Sequence, residues 1–347
     1  MEIRVYNAEL KLLGIIENQT SLIWIRKFYE PGTFELHAPV TEYNLKLLQA
    51  GNIIAKKKGG LEGGVIEDLN IEESNTENEI TAKGRFLSSY MDRRLIKSTF
   101  SFSGKAEVAM RNILSNAASI PLVELGNLND FEETVSFQAT YKNLLTYMTK
   151  LSKNSNIGFW FRPDFTNKKI YFETYKGKDR SRSQGINNKV EFSESYANLN
   201  EAIYKYNDQT YKTVAYVGGS GEGSDRKYVT VGSGEGLELR EVFVDAKDIQ
   251  EDELTEEEYE AALIQRGQDA LNEDIISTSF ECKTGADINF TYMVNYDLGD
   301  IVTVRKKNWG ISEDLRITEI QETYEYGAMV IEPVLGDPLP ETVDWSD

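Results

Sequence analysis

A pentapeptide, Gly-Ser-Gly-Glu-Gly, occurs twice in this chain, at 219–223 and 232–236, and the stretch between the copies, Lys227 to Val231, has the residues of a short strand. Glycine reaches positive φ without a Cβ penalty, so each copy is a point where the chain can reverse or bulge. Two reversals around one short run commit this region to β structure. The competing reading is a phosphate cradle, since Gly-rich loops can aim several N–H groups at an anion. Neither copy has the Lys-Ser/Thr of a Walker loop or clearly opens a helix, and Glu222 and Glu235 stand where an anion would sit. Gly219, Gly221, Gly223, Gly232, Gly234 and Gly236 are therefore read as turn-forming positions.

The same punctuation runs through the rest of the chain. Strand-like runs cover 3–6, 10–16, 22–28 and 34–38, with Pro31-Gly32 marking a hairpin between the last two. Thr41 caps a short helix that Gly51 closes, and runs at 52–57, 65–71 and 80–86 follow. Residues 1–97 thus read as a small β domain. Composition then shifts. Gly104 to Ser119 carries Ala106, Ala109, Met110, Ile113, Leu114 and Ala117 at helical spacing, and Tyr141 to Lys153 repeats the pattern with Leu144, Leu145, Met148 and Leu151. Strands at 158–162 and 169–174 complete an α+β module over 98–190. Phe159, Trp160 and Phe161 suit either a core strand or a stacking platform. Lys176 to Gln184 is a basic island, read as a solvated connector, or as a site that binds an anion or orders an interface through Arg–carboxylate pairs.

From 190 the chain returns to β, with runs at 190–192, 199–206, 213–217 and 238–244. Thr255 to Glu258 forms a capping box that opens a helix to about Asn272. Further strands are expected at 276–283, 288–294, 301–305, 315–326 and 328–334, and a loose tail at 337–347. A second β domain thus spans 191–336. The fold class is α+β, mainly β.

Formal charge is −19, from 38 basic and 57 acidic side chains. That sign opposes phosphate binding, so specific nucleic-acid recognition is not expected. Cys282 and His37 are the only cysteine and histidine, which leaves no disulfide and no Cys/His metal set. His37 falls in an alternating run on the side of Thr33 and Glu35, as an exposed strand histidine would. No run is apolar and long enough to cross a bilayer, and Met1 to Leu10 has no signal-peptide layout, so cytoplasmic synthesis is expected. No catalytic, metal or cofactor site is assigned.

An internal echo adds to this. Gly51-Asn52, the run to Lys58, a glycine turn and Val65 to Ile71 are matched by Gly299-Asp300, the run to Lys306, a turn at 308–310 and Leu315 to Ile320. Each hairpin precedes another strand. The pattern suggests related β units at the two ends, and chance recurrence of a period-two pattern is the alternative.

The order of several motifs resembles a known family. Leu22-Ile-Trp24 with Gly32 to Leu36, Gly84 to Leu87 with Arg93-Arg94, the segment Gly177, Asp179, Arg180, Ser181 and Gln184, the Gly218–Gly236 element, and Asp297 to Asp300 are similar to the siphophage Gp37-like tail proteins, over about residues 1–336. That resemblance implies a baseplate-hub or tail-tip protein with two β-barrel-like domains per subunit. Three subunits would form a ring of pseudo-sixfold character on the tail tube or distal tail protein. Tip or fibre proteins would bind below, and DNA would pass through a channel. It also implies a virion-tail location and a structural role, because hub relatives with enzymes carry them in C-terminal extensions for which this chain has no room. The alternatives are a wall hydrolase working through paired carboxylates, or a polysaccharide-binding module using Trp24, Phe159 or Trp160.

Overall fold

The computed structural model describes residues 1–57, 61–74, 78–117, 119–196, 198–199, 201–249, 254–273, 276–283, 289–325 and 327–336. Strands β1 (Ile3–Tyr6), β2 (Leu12–Ile16), β3 (Ser21–Lys27) and β4 (Thr33–Pro39) open the chain. Burial along β3 and β4 alternates with period two, and they pair as the hairpin expected around Pro31-Gly32. Helix α1 (Glu42–Leu47) is capped by the Thr41 hydroxyl, which accepts the Asn44 N–H at 3.1 Å. Strands β5 (Ile53–Lys56), β6 (Gly64–Glu73) and β7 (Asn78–Phe86) then form an antiparallel meander.

The middle segment holds β8 (Leu95–Ile96), β9 (Phe100–Lys105), α2 (Ala106–Ala117), β10 (Val123–Leu125), β11 (Thr134–Ala139), β12 (Lys142–Asn143), α3 (Leu144–Ser155), β13 (Gly158–Asp164) and β14 (Lys169–Tyr175). The helix expected from Gly104 begins instead at Ala106, because Phe100 to Lys105 pairs with β11, a pairing that helical periodicity cannot reveal. The second helix starts after Asn143, whose side chain accepts the Thr146 N–H. Phe159 and Phe161 are buried with the apolar sides of α2 and α3, so they are core residues.

The last segment comprises β15 (Glu191–Ser193), β16 (Glu201–Asn207), β17 (Val214–Gly218), β18 (Tyr228–Gly232), β19 (Glu241–Asp245), α4 (Glu256–Glu273), β20 (Ser277–Lys283), β21 (Ile301–Lys306), β22 (Ile311–Glu325) and β23 (Ala328–Gly336). The strand expected at 288–294 does not form over the described residues 289–294. Asn289 and Met293 take positive φ, and Tyr292 makes only an isolated bridge to Tyr296. The tail 337–347 and position 288 lie outside the described residues.

One sheet runs through both ends of the chain, in the order β16-β20-β23-β22-β3-β4-β7-β6-β5-β1-β2, with β21 joined to β22 and β15 to β21. Among the described residues it does not close into a barrel. Its two ends repeat one another. The order β3-β4-β7-β6-β5 is matched by β16-β20-β23-β22-β21, antiparallel throughout. The echo noted in the sequence holds at the level of single bonds. Gly51 N–H donates to Ile66 O, and Ile66 N–H to Asn52 O; Gly299 N–H donates to Ile317 O, and Ile317 N–H to Asp300 O, all at 2.8 Å. Gly51 and Gly299 share a left-handed φ, +87° and +90°. A register shift follows each isoleucine, between Ile66 and Asp68 and between Ile317 and Glu319. Each end also covers its own apolar core, one around Trp24 and Phe34, the other around Phe280 and Phe192. β17 to β19 form a separate sheet whose core is closed by α4.

Candidate functional site

The motif residues singled out in the second half of the sequence meet at one junction. Asp300 lies at the start of β21 and is buried. Its Oδ1 accepts the Lys178 N–H at 2.6 Å, and its Oδ2 accepts Arg180 Nε at 2.6 Å and the Asp297 N–H at 3.1 Å. Arg180 N–H donates to Ile301 O, and Ile301 N–H to Lys178 O, which lays the segment along β21. Gly177 crosses Gly299 with no room for a side chain: a Cβ there would lie 1.9 Å from the Gly299 carbonyl. Asp179 Oδ1 accepts the Ser181 N–H, and the buried Ser181 hydroxyl bonds Ser183. Gln184 Oε1 accepts the N–H groups of Ile186 and Asn187 while its Nε2 donates to Ser181 O and Asn187 O. The segment is exposed over much of its length, including Lys178, Asp179, Arg182 and Ser183, while Arg180 and Arg182 pair with Asp300 and Glu191 and tie the crossover from β14 to β15 against β21.

The twin pentapeptides act as turns. Gly221, Gly223, Gly232 and Gly236 have positive φ, and each copy ends in a short 3-10 turn closed by a backbone bond, Asp225 N–H to Glu222 O and Glu238 N–H to Glu235 O. The first copy makes the β17–β18 hairpin. The second carries the chain past β17 to its other edge, where β19 runs parallel to it. Gly219 is packed under Tyr259 of α4, where a Cβ would lie 2.2 Å from the hydroxyl; Gly234 sits against Thr213. The Ser220 N–H is taken by Tyr259 Oη at 2.7 Å.

A buried ionic network, not anticipated from the sequence, joins the two ends of the chain. Arg26 on β3 donates to Glu62 at 2.5 Å, to Asp297 at 2.6 Å and to Tyr292 Oη at 2.9 Å. Lys56 on β5 meets Glu322 on β22 at 2.5 Å, and the hydroxyls of Tyr292 and Tyr324 also donate to Glu322. Lys56 and Glu322 side chains are 1% and 2% exposed. Burial pushes the Lys56 ammonium below its usual lysine value, with Glu322 opposing, and pushes the Tyr292 phenol up. The signal was present: Arg26 shares the core side of β3 with Leu22 and Trp24, and a charge on the apolar side of a period-two strand demands a buried partner.

On the opposite side of the sheet His37 bonds Glu35 through Nε2 and Glu79 through Nδ1, each at 2.8 Å. Burial opposes the charged ring, but the bonds to Glu79 and Glu35 outweigh it and raise the His37 pKa. Because the folded value lies above the unfolded one, this stabilisation is full below about pH 6.5 and is lost as pH rises through the raised folded value. Thermal melts of wild type and His37→Asn should accordingly differ most near pH 6 and converge toward about pH 9, with a maximum difference of about 1 kcal/mol for a partly exposed pair.

No group of three or more His, Cys, Asp or Glu side chains with metal-binding geometry occurs among the described residues. Cys282 is buried and its thiol is pushed up by burial, which opposes nucleophilic use. Trp24 and Phe159 lie in cores, so neither offers a ring for sugar stacking. No described helix is long and apolar enough to cross a membrane.

The whole architecture recurs in solved tail proteins. A tail protein from Neisseria meningitidis MC58 matches with a TM-score of 0.60 at 10% identity, covering 97% of this chain and 96% of that one. The 43 kDa tail protein of prophage MuSo2 from Shewanella oneidensis gives 0.61 at 13%, covering 97% and 99%. Prophage tail protein gp18 from Listeria monocytogenes EGD-e gives 0.57 at 15%, covering 97% and 95%. No curated protein matches the sequence. The model of the Siphovirus ReqiPepy6 Gp37-like proteins matches residues 2–337, and the chain belongs to that family.

Proposed function

We propose that the chain is a structural component of a phage or prophage tail, acting as the tail-tip or baseplate hub. Three subunits form a ring on the tail tube or distal tail protein, with tip or fibre proteins below and a central channel for DNA. The observation that carries this reading is end-to-end correspondence with three tail proteins, with at least 95% of each covered. A threefold ring must match a sixfold tube, and a chain with two similar ends solves that problem, because three copies present six similar surfaces. The repeated strand order and paired cores support two barrel-like units, 1–97 and 191–336, flanking the module at 98–190. The side of the sheet away from the cores carries Glu35, Glu79, Glu319 and Glu332. Lys27 and Lys83 pair with Glu319 and Glu35 on that side, so in this reading the repulsion of phosphate that lets DNA slide comes from the chain's net charge of −19 and not from these carboxylates alone. In this reading Gly177, Asp179, Arg180, Ser181, Gln184, Gly299 and Asp300 are structural, the chain is not an enzyme, and it resides in the virion tail after assembly in the host cytoplasm.

Immunogold electron microscopy of particles released from the source cell tests the proposal. Gold at the distal end of tails is the expected outcome. Particles without label, from cells that retain the protein and with an antibody proven on denatured controls, would reject it.

A further inference from the structure

The two ends of the chain meet at one strand joint. Past its register shift β22 pairs antiparallel with β3, from Glu319 with Lys27 to Glu325 with Ser21. In the repeat, β6 stands for β22 and β16 stands for β3. Strand pairing carries Glu319 onto Asp68, Glu322 onto Ile71, Trp24 onto Tyr204 and Lys27 onto Asn207. Among the described residues no equivalent joint forms within the chain. β16 ends the sheet, and past its register shift β6 has a ladder partner only on the β7 side among the described residues.

Both open edges carry apolar groups. Ile71 is 47% exposed on β6, while Ile203 and Tyr206 are 52% and 55% exposed on β16. An open edge of this length with apolar side chains is a template for another strand.

We infer that β6 of one copy pairs antiparallel with β16 of the next, repeating in trans the joint that β22 and β3 make in cis, and that three copies close the ring. The partner is thus a second copy of this chain, and the inference rests on the hub reading for the closure at three. The register follows from the repeat. It sets Leu69 opposite Tyr206 and Ile71 opposite Tyr204 on the core side, apolar against apolar. On the other side it sets Asn70 opposite Lys205, with Asp68 and Glu72 diagonal to the lysine, within reach of its ammonium. The β6 edge is acidic, with Asp68, Glu72 and Glu73, and Lys205, which pairs with Glu281 in its own chain, is the cation that faces it. A one-residue slip would turn Ile71 and Tyr204 to opposite sides, so the register is specified by burial. Pairing these two edges also removes the aggregation hazard they present.

Paired cysteines test the joint. Full-length Asn70→Cys/Lys205→Cys is oxidised in tail particles and, separately, as purified protein at rising concentration, then run on non-reducing gels. Disulfide-linked dimers and trimers, none larger, at least about tenfold above either single variant, are the expected result. A ladder extending past trimers would replace the closed ring with an open filament and overturn the inference. So would the absence of cross-links from a variant that melts like wild type and occupies tail tips. If that variant fails to fold, zero-length carbodiimide cross-linking of wild-type particles decides: an intermolecular Lys205 link to Asp68 or Glu72 supports the joint, and its absence rejects it. Cross-linked purified protein alongside tails that lack the chain would reject the hub while retaining the strand joint.

Discussion

Glu322→Ala is expected to lower the unfolding free energy by about 3–5 kcal/mol, since it leaves a buried ammonium without its counter-charge. Lys56 is almost wholly enclosed, and its other neighbours are the rings of Trp24 and Tyr324, each little more than 5 Å from Nζ to the centroid. Those rings favour a cation weakly compared with a carboxylate. The substitution also removes the acceptor of the Tyr292 and Tyr324 hydroxyls, although Arg26 still donates to Tyr292 Oη. Urea denaturation with fluorescence and circular dichroism in parallel would read the loss and reveal whether the two ends still unfold together. The companion variant Lys56→Met/Glu322→Leu removes both charges and should recover most of the stability, because replacing a whole buried pair with apolar groups is far less costly than halving it. Equal losses in the single and double variants would mean that packing around Glu322, and not the unpaired charge, sets the effect.

Gly177→Ala is expected to cost about 3 kcal/mol, near the upper end for overpacking. The added methyl would meet the carbonyl carbon and oxygen of Gly299 at 1.9 Å and the Asp300 N at 2.2 Å. These are backbone atoms, so no rotamer change relieves the contact. Opening the crossing would stretch the bonds from Lys178 and Arg180 to Asp300, both at 2.6 Å. Gly185→Ala, in the same segment, is the internal control: nothing lies within 4 Å of its Cβ and its φ is unexceptional. It should be neutral or stabilising by about 0.5 kcal/mol through the unfolded chain. Differential scanning calorimetry of the two variants separates them. Similar melting temperatures would show that the crossover yields easily and that Gly177 is not needed for close approach.

Much of the β architecture was legible because period-two alternation and glycine punctuation are local. The runs at 22–28 and 34–38 read as a hairpin, and β3 and β4 form one. The capping box from Thr255 to Glu258 opens α4, with the Thr255 N–H donating to Glu258 at 2.9 Å. The Gly-Asx echo at 51 and 299 is reproduced in hydrogen bonding. The failures also have local causes. Gly104 and Lys105 read as the start of a helix because β11, the partner of Phe100 to Lys105, lies about thirty residues on, and pairing across that distance leaves no mark in either segment. Thr291 to Val294 has strand-forming side chains, yet the positive φ at Asn289 and Met293 bends the chain into a turn that delivers Tyr292 to the ionic network. The partner of the basic island was not legible because the acceptor that ties it down, Asp300, is more than a hundred residues away.

What the sequence determined by itself was therefore the set of elements and their near-duplication. Alternation, caps and glycine positions are properties of neighbouring residues, and a repeat is visible as a repeat. Only the tertiary structure decided that the two ends share one sheet, that Arg26 and Lys56 are buried with partners from the far end of the chain, and that β6 and β16 are left with free edges. Each of those facts depends on which strand lies beside which, and adjacency between distant segments is fixed by the burial of whole faces rather than by any residue's own preference.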